Sequence, residues 1–278
     1  MNPRPSLGRI VLVVLSVLLT LGVSGLLAFA ILSLPFLSSF AALRSSLMAL
    51  TYVASALLLA HLIVRRLLGL SPRDCRLLPI RVRPVWAITA LLLPAMVIFL
   101  LSRFEGQWVF KGMTGETLKP ILVGGIATPI VEEVLFRGVL MTALEQRYSR
   151  VMSIVAPSVL FTILHLVNGQ ADLTSLLLLM LAGTTVGTLF SLITYESGSI
   201  ANSMLVHASW NLTASVILFN GSAQSHYLAN YQLVQNHYVW LGGTYATDAS
   251  PVSIVGYILC IVLALVLLRR QRMRGRAR

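Results

Sequence analysis

The chain has 278 residues, 57% of them apolar and only 11% charged, with a net charge of +12. Soluble domains are nearer one quarter charged, so this composition excludes an ordinary globular fold and indicates a polytopic membrane protein. The positive charge excludes little by itself, but its placement argues against nucleic acid: arginines flank apolar runs, with no basic amphipathic stripe and no soluble domain. Two cysteines, Cys75 and Cys260, offer neither a disulfide framework nor a CxxC pair, which excludes a cysteine-based zinc site.

Eight apolar segments follow in order. The first spans about Ile10 to Leu34, after Arg4 and Arg9. Ala28-Phe29-Ala30 has the form of a signal-peptidase site, but the apolar run is too long for a signal core and continues past it, so a retained helix is expected. The second covers about Leu43 to Val64, with His61 near its end, and leads into a loop holding Arg65, Arg66, Arg73, Arg76, Arg81 and Arg83 against one acid, Asp74. The third, about Val85 to Leu101, contains Pro94, where a kink is expected. The fourth, about Leu118 to Leu144, carries Glu132, Glu133 and Arg137. The fifth is about Val151 to Val167 and ends in Asn168-Gly169-Gln170. The sixth, about Leu173 to Tyr195, contains Gly183-Thr-Thr-Val-Gly187, a close-packing pattern of membrane helices. The seventh is about Ser199 to Phe219. Residues 220–250 contain no Lys or Arg and read as an outer interfacial loop, with tyrosines and Trp240 suited to a membrane boundary. The eighth, about Val252 to Leu268, precedes the tail Arg269-Arg270-Gln271-Arg272-Met273-Arg274-Gly275-Arg276-Ala277-Arg278.

The expected architecture is therefore all-α: one membrane domain over 1–278, a bundle of about eight transmembrane helices with an intramembrane cavity. N-terminal helices occupy about 10–101, a motif-bearing core about 118–219, the outer loop 220–250, and the last helix and tail 252–278. Basic loops on one side place both termini in the cytoplasm of a cell-membrane protein, and the tail is suited to anionic lipid. No sequence repeat supports an inverted-repeat transporter.

An ionised side chain at the centre of a bilayer costs roughly +2.5 to +3.5 kcal/mol by insertion scales. Two adjacent acids inside an apolar segment thus call for a use. Glu133 and Arg137 are four apart, share a helix face and form a natural pair. Glu132 is rotated by about 100° on an ideal helix and lies on the face of Thr128 and Gly125. It is expected to face the interior while Glu133–Arg137 braces the helix. His165 lies four residues after Phe161. His207 and Asn211 are also four apart. His61 has no companion at helical spacing and reads as interfacial or structural. The orientation of the segments puts Glu132, His165 and His207 in the middle portion of their spans. Carboxylate, imidazole, imidazole and amide then converge in a cavity. Glu132, with His165, is placed to activate water, and His207 with Asn211 to stabilise an oxyanion. Glu132, His165 and His207 would equally serve as ligands for a divalent metal such as zinc. A proton- or ion-coupled transporter using these groups as a relay is a second reading, and a non-catalytic scaffold held by the same hydrogen bonds is a third.

Glu132-Glu133-Val-Leu-Phe-Arg137, Phe161-Thr-Ile-Leu-His165 and His207-Ala-Ser-Trp-Asn211 stand in this order, each in its own apolar segment. Together they resemble the EExxxR, FxxxH and HxxxN motifs of the CPBP family of intramembrane endopeptidases. That family includes type II CAAX prenyl endopeptidases and Abi bacteriocin-processing or immunity proteins. The resemblance covers about 131–211. It implies Glu132 as general base with His165, His207 and Asn211 at the oxyanion, and Glu133, Arg137 and Phe161 in support. It leaves metal and glutamate mechanisms both open and implies a membrane-associated peptide or protein as substrate. A non-catalytic bacteriocin-immunity role remains among the alternatives.

Overall fold

The computed structural model describes residues 4–166, 172–221 and 226–276. The chain is a polytopic helical membrane protein. Its helices are α1 (Leu7–Ala30), α2 (Ala41–Leu62), α3 (Pro84–Leu101), α4 (120–147), α5 (Arg150–His165), α6 (Leu173–Ser197), α7 (Ile200–Val216) and α8 (Pro251–Arg276). Five helical stretches are long and apolar enough to cross a membrane by length and composition: Leu7–Ser33, Ala41–Leu68, Pro84–Leu101, Leu173–Ser197 and Gly243–Arg274. α4 carries five charged residues, Glu132, Glu133, Arg137, Glu145 and Arg147, and α5 and α7 are shorter, 16 and 17 residues. The site-bearing helices are thus the ones whose sequences look least like simple spans. The fifth segment, expected to reach Val167, is helical to His165, and Val167 lies outside the described residues.

Helix starts follow local chemistry. Ser6, Ser149, Asp172 and Ser199 each cap a helix, their side chains accepting from a backbone N–H in the first turn. α6 ends at Gly198, whose φ of 71° is a left-handed turn favoured by glycine. α3 runs through Pro94 as one helix.

Polar contacts sort the bundle into two ends. At one end, Arg147 donates to the Pro5 carbonyl (2.8 Å) and Gln271 donates to Glu196. Glu196 also accepts from Arg83 and from the Trp86 indole (2.8 Å), while Arg76 and Arg150 pair with Glu145. Both ends of the described chain therefore lie at this basic end. At the opposite end, Arg44 pairs with Glu116 (3.1 Å).

The opposite end also carries a small sheet that the sequence reading did not anticipate. β1 (Gly106–Phe110), β2 (Ile217–Phe219) and β3 (Ala229–Leu233) lie in the order β1-β3-β2. β3 pairs antiparallel with β1 and parallel with β2. Trp108, Phe219 and Tyr231 pack together there, and the Tyr231 hydroxyl donates to the carbonyls of Ser102 and Phe104. The seventh apolar run thus leaves the helix at Val216, and Ile217–Phe219, three β-branched or bulky residues, become a strand. Val234, Val239 and Trp240 stay exposed, as an interfacial loop requires. Tyr227, Ala229, Tyr231, Leu241 and Ala249 are buried and anchor the segment in the fold.

The apolar core has two parts. One gathers α1, α2 and α4, and the other α3, α6, α7 and α8. Val186 packs against both, and the polar cluster of α4, α5 and α7 sits along their seam.

Candidate functional site

α4 is not a uniform helix. Pro120–Ala127 and Glu133–Leu140 are wound more loosely, with backbone bonds reaching the fifth residue, on either side of a short α-helical piece, Thr128–Glu132. Such widened turns cluster at functional positions in helices because they re-aim side chains. Here the change of winding falls between the two glutamates.

Glu133 points into the protein and is fully buried. Its Oε1 accepts from Arg137 Nη1 at 2.9 Å and lies 3.1 Å from His207 Nδ1. Arg137, also fully buried, donates to the Gly187 carbonyl at 3.1 Å and lies over the rings of Phe161 and Phe190. The expected brace is present, and it extends to a third helix through His207.

Glu132 faces the other way. It is 13% exposed, makes no hydrogen bond among the described residues, and its Oε2 is 3.6 Å from His207 Nε2. It lines a cavity of about 110 Å³ together with Thr128, His165, His207 and Asn211. All four expected catalytic side chains thus border one space, brought there by α4, α5 and α7. Phe161 lines it too, edge-on to His207, while Phe190 stacks on His207 at 4.6 Å.

The ring nitrogens can be assigned from their partners. His165 Nδ1 is 2.8 Å from the Phe161 carbonyl, which only accepts, so Nδ1 carries the proton and Nε2 is the free acceptor. His207 Nδ1 donates to the Glu133 carboxylate, leaving Nε2 turned to Glu132. Asn211 Nδ2 donates to the Gly124 carbonyl at 3.3 Å, which leaves its second N–H free. Gly125 lets α4 and α7 meet, since a Cβ there would lie 2.7 Å from Leu212.

One expectation needs correction. His165 is not in the middle of its span; it is the last residue of α5. α5 is short and its C-terminus reaches only to the level of the cavity, so Glu132 and His207 meet it from mid-helix while His165 meets it from a helix end. His61 is exposed at the end of α2, away from the cavity.

The sequence reading missed Asp248, which lines the same cavity with Trp210 and Tyr257. Its Oδ1 accepts from the Trp210 indole at 2.7 Å. Its signal was available: it is the only acid in 220–250, four residues before the last apolar run.

Glu132, His165 and His207 do not gather into a metal-holding group among the described residues. The nitrogens of His207 are turned to two different carboxylates. These donors as arranged do not fit a shared metal.

Residues 114–213 match the family described as type II CAAX prenyl endopeptidase Rce1-like. This stretch of the chain is an Rce1-like domain. It takes in rather more than a third of the sequence, including α4, α5, α6, most of α7, and all three motifs. Comparison with curated proteins and with solved structures returned no match. The Rce1-like family is a family of peptidases, so the chain is a membrane protein with a CAAX-type endopeptidase domain. Asp248 lies outside the Rce1-like match, although its side chain borders the domain's cavity.

Proposed function

We propose that the chain hydrolyses a peptide bond of a membrane-associated peptide or protein, with Glu132 as general base. One observation carries this reading: of two adjacent carboxylates, only Glu132 faces the cavity without a hydrogen-bond partner, and it faces the same space as His165, His207 and Asn211. Glu133 is committed to Arg137 and His207.

Glu132, with the free His165 Nε2, takes the proton of a water as it adds to the scissile carbonyl. The oxygen of that carbonyl gains charge and is met by His207 Nε2 and the second N–H of Asn211. Donation from Nε2 requires a proton on both ring nitrogens, because Nδ1 already donates to Glu133. The carboxylates at the two ends of the ring supply the counter-charge. Glu132 then returns the proton to the departing amine. The reaction uses no metal in this reading.

The basic end of the bundle is cytoplasmic in this proposal, and its arginines hold anionic lipid. The membrane is the cell membrane, and nucleic acid is not a partner.

Comparative peptidomics of membranes containing wild type or Glu132→Gln tests the activity and finds the substrate together. Peptides with new termini are expected in wild type and absent in the variant. Identical peptide profiles, with equal amounts of both folded proteins, would remove the assignment.

A further inference from the structure

The cavity has a second acid that the mechanism above does not use. Asp248 enters from the segment before α8, and its carboxylate borders the same space as Glu132, His165 and His207. Oδ1 is held by the Trp210 indole at 2.7 Å, and Tyr257 donates to the Asp248 backbone carbonyl rather than to the carboxylate. Oδ2 has no hydrogen-bond partner among the described residues. Asp248 also borders a larger cavity of about 420 Å³, whose walls include Asn220, Asn236 and Tyr238 at the sheet end of the bundle. It stands where the two spaces adjoin.

Charge decides what fits there. Among the described residues no Lys or Arg lines either cavity; Arg137 is matched by Glu133, and His207, doubly protonated in the proposed mechanism, stands between Glu133 and Glu132, so neither cation is committed to Asp248. Asp248 is exposed to this space and its Oδ2 is unpaired among the described residues, so a cation brought to it exchanges water for a charged partner. A substrate carboxylate placed beside Asp248 and Glu132 would be repelled. A substrate ammonium or guanidinium would gain a charge-assisted hydrogen bond from Oδ2.

We propose that Asp248 is a specificity-determining residue, and that the peptide accepted carries an ammonium or guanidinium group close to the scissile bond, on the side facing the sheet end. The assignment of a scissile bond rests on the peptidase reading, but the cation site does not, so the two are tested apart.

The purified full chain is titrated with n-butylammonium and with n-butanol, a neutral molecule of nearly the same shape, following thermal unfolding and Trp fluorescence. Wild type is expected to bind the cation at least tenfold more tightly. Asp248→Asn keeps an oxygen acceptor for the Trp210 indole and is expected to remove that preference without lowering the unfolding temperature. Equal affinities in wild type, or a preference that survives in Asp248→Asn, would overturn the proposal. So would its loss in Glu132→Gln alone, because Glu132 would then be the cation's partner. In parallel, internally quenched peptides bearing Lys or acetyl-lysine near the cleaved bond should be separated by wild type and not by Asp248→Asn. Cation binding that depends on Asp248, with no cleavage of any peptide, would uphold the site and count against the peptidase reading.

Discussion

Glu132 and Glu133 are neighbours in sequence with different work to do. Glu133 has two partners and no exposure; Glu132 has a cavity. Removing one member of a buried ion pair leaves an uncompensated charge, at a cost of about 3–5 kcal/mol. Arg137→Ala is therefore expected to lower stability by about that amount, read as a loss of folded protein in a denaturant or thermal series. Asn211→Ala should behave differently: its hydrogen bond to Gly124 is one ordinary contact, but in the proposed mechanism its second N–H meets the reacting carbonyl. We expect a loss of about 10²–10³-fold in kcat with near-normal folding, and an unchanged kcat would remove Asn211 from the oxyanion site. At this scale much was legible, because spacing of four residues reports directly which side chains share a helix face. Glu133 with Arg137 followed from that rule. The bond from Glu133 to His207 did not, since it joins residues 74 apart.

The helices α5 and α6 show how an element makes the site possible. Gly183 and Gly187 face Thr162 and Ser158 across the contact: a Cβ on Gly183 would lie 2.7 Å from Thr162, and one on Gly187 2.9 Å from the Ser158 backbone. The close approach also brings the Gly187 carbonyl within reach of Arg137. Gly187→Ala forces apart a packed backbone contact, and we expect a loss of about 1–3 kcal/mol together with reduced activity, measured as unfolding midpoint and turnover of the same preparation. The Gly-x-x-x-Gly spacing made this packing readable in sequence. The loosened winding on both sides of Glu132 was not, because an ideal helical wheel assumes one residue angle throughout.

Over the whole molecule, the segment 226–250 is tied to the bundle rather than lying free at its surface. Asp172, the cap of α6, accepts from the Ser175 hydroxyl at 2.8 Å and from Tyr238, and Thr244 N–H donates to Ser175 at 2.9 Å. The Tyr238 and Ser175 hydrogen bonds hold the Asp172 carboxyl below its ordinary value of 3.8, at about 2. A lowered folded value means that this tie stabilises the native form above the ordinary value and is lost as pH falls through about 2. Amide exchange around Tyr238–Thr244 should therefore be unchanged near neutral pH, after intrinsic rates are allowed for, and rise on acidification through that window; Asp172→Ala should show the faster exchange already at neutral pH. This tie matters because the same segment delivers Asp248 to the cavity. The eight apolar runs and the three motifs were readable because hydropathy and local spacing encode them. The sheet depends on pairings between 106–110, 217–219 and 229–233, which no local pattern specifies. The grouping of arginines predicted one basic end, and the contacts of Arg147 with Pro5 and Gln271 with Glu196 bring both ends of the described chain to it.

The central claim is that Glu132 is the base of a metal-free hydrolysis. Its most direct test is the initial rate of peptide cleavage by purified protein in liposomes, with and without exhaustive chelation, for wild type and Glu132→Gln. General-base catalysis contributes about 10²–10⁴-fold. A fall of that size is expected in Glu132→Gln with the fold intact, and a wild-type rate that chelation leaves unchanged. Full activity in Glu132→Gln, or a wild-type rate abolished by chelation and restored by added zinc, would contradict it.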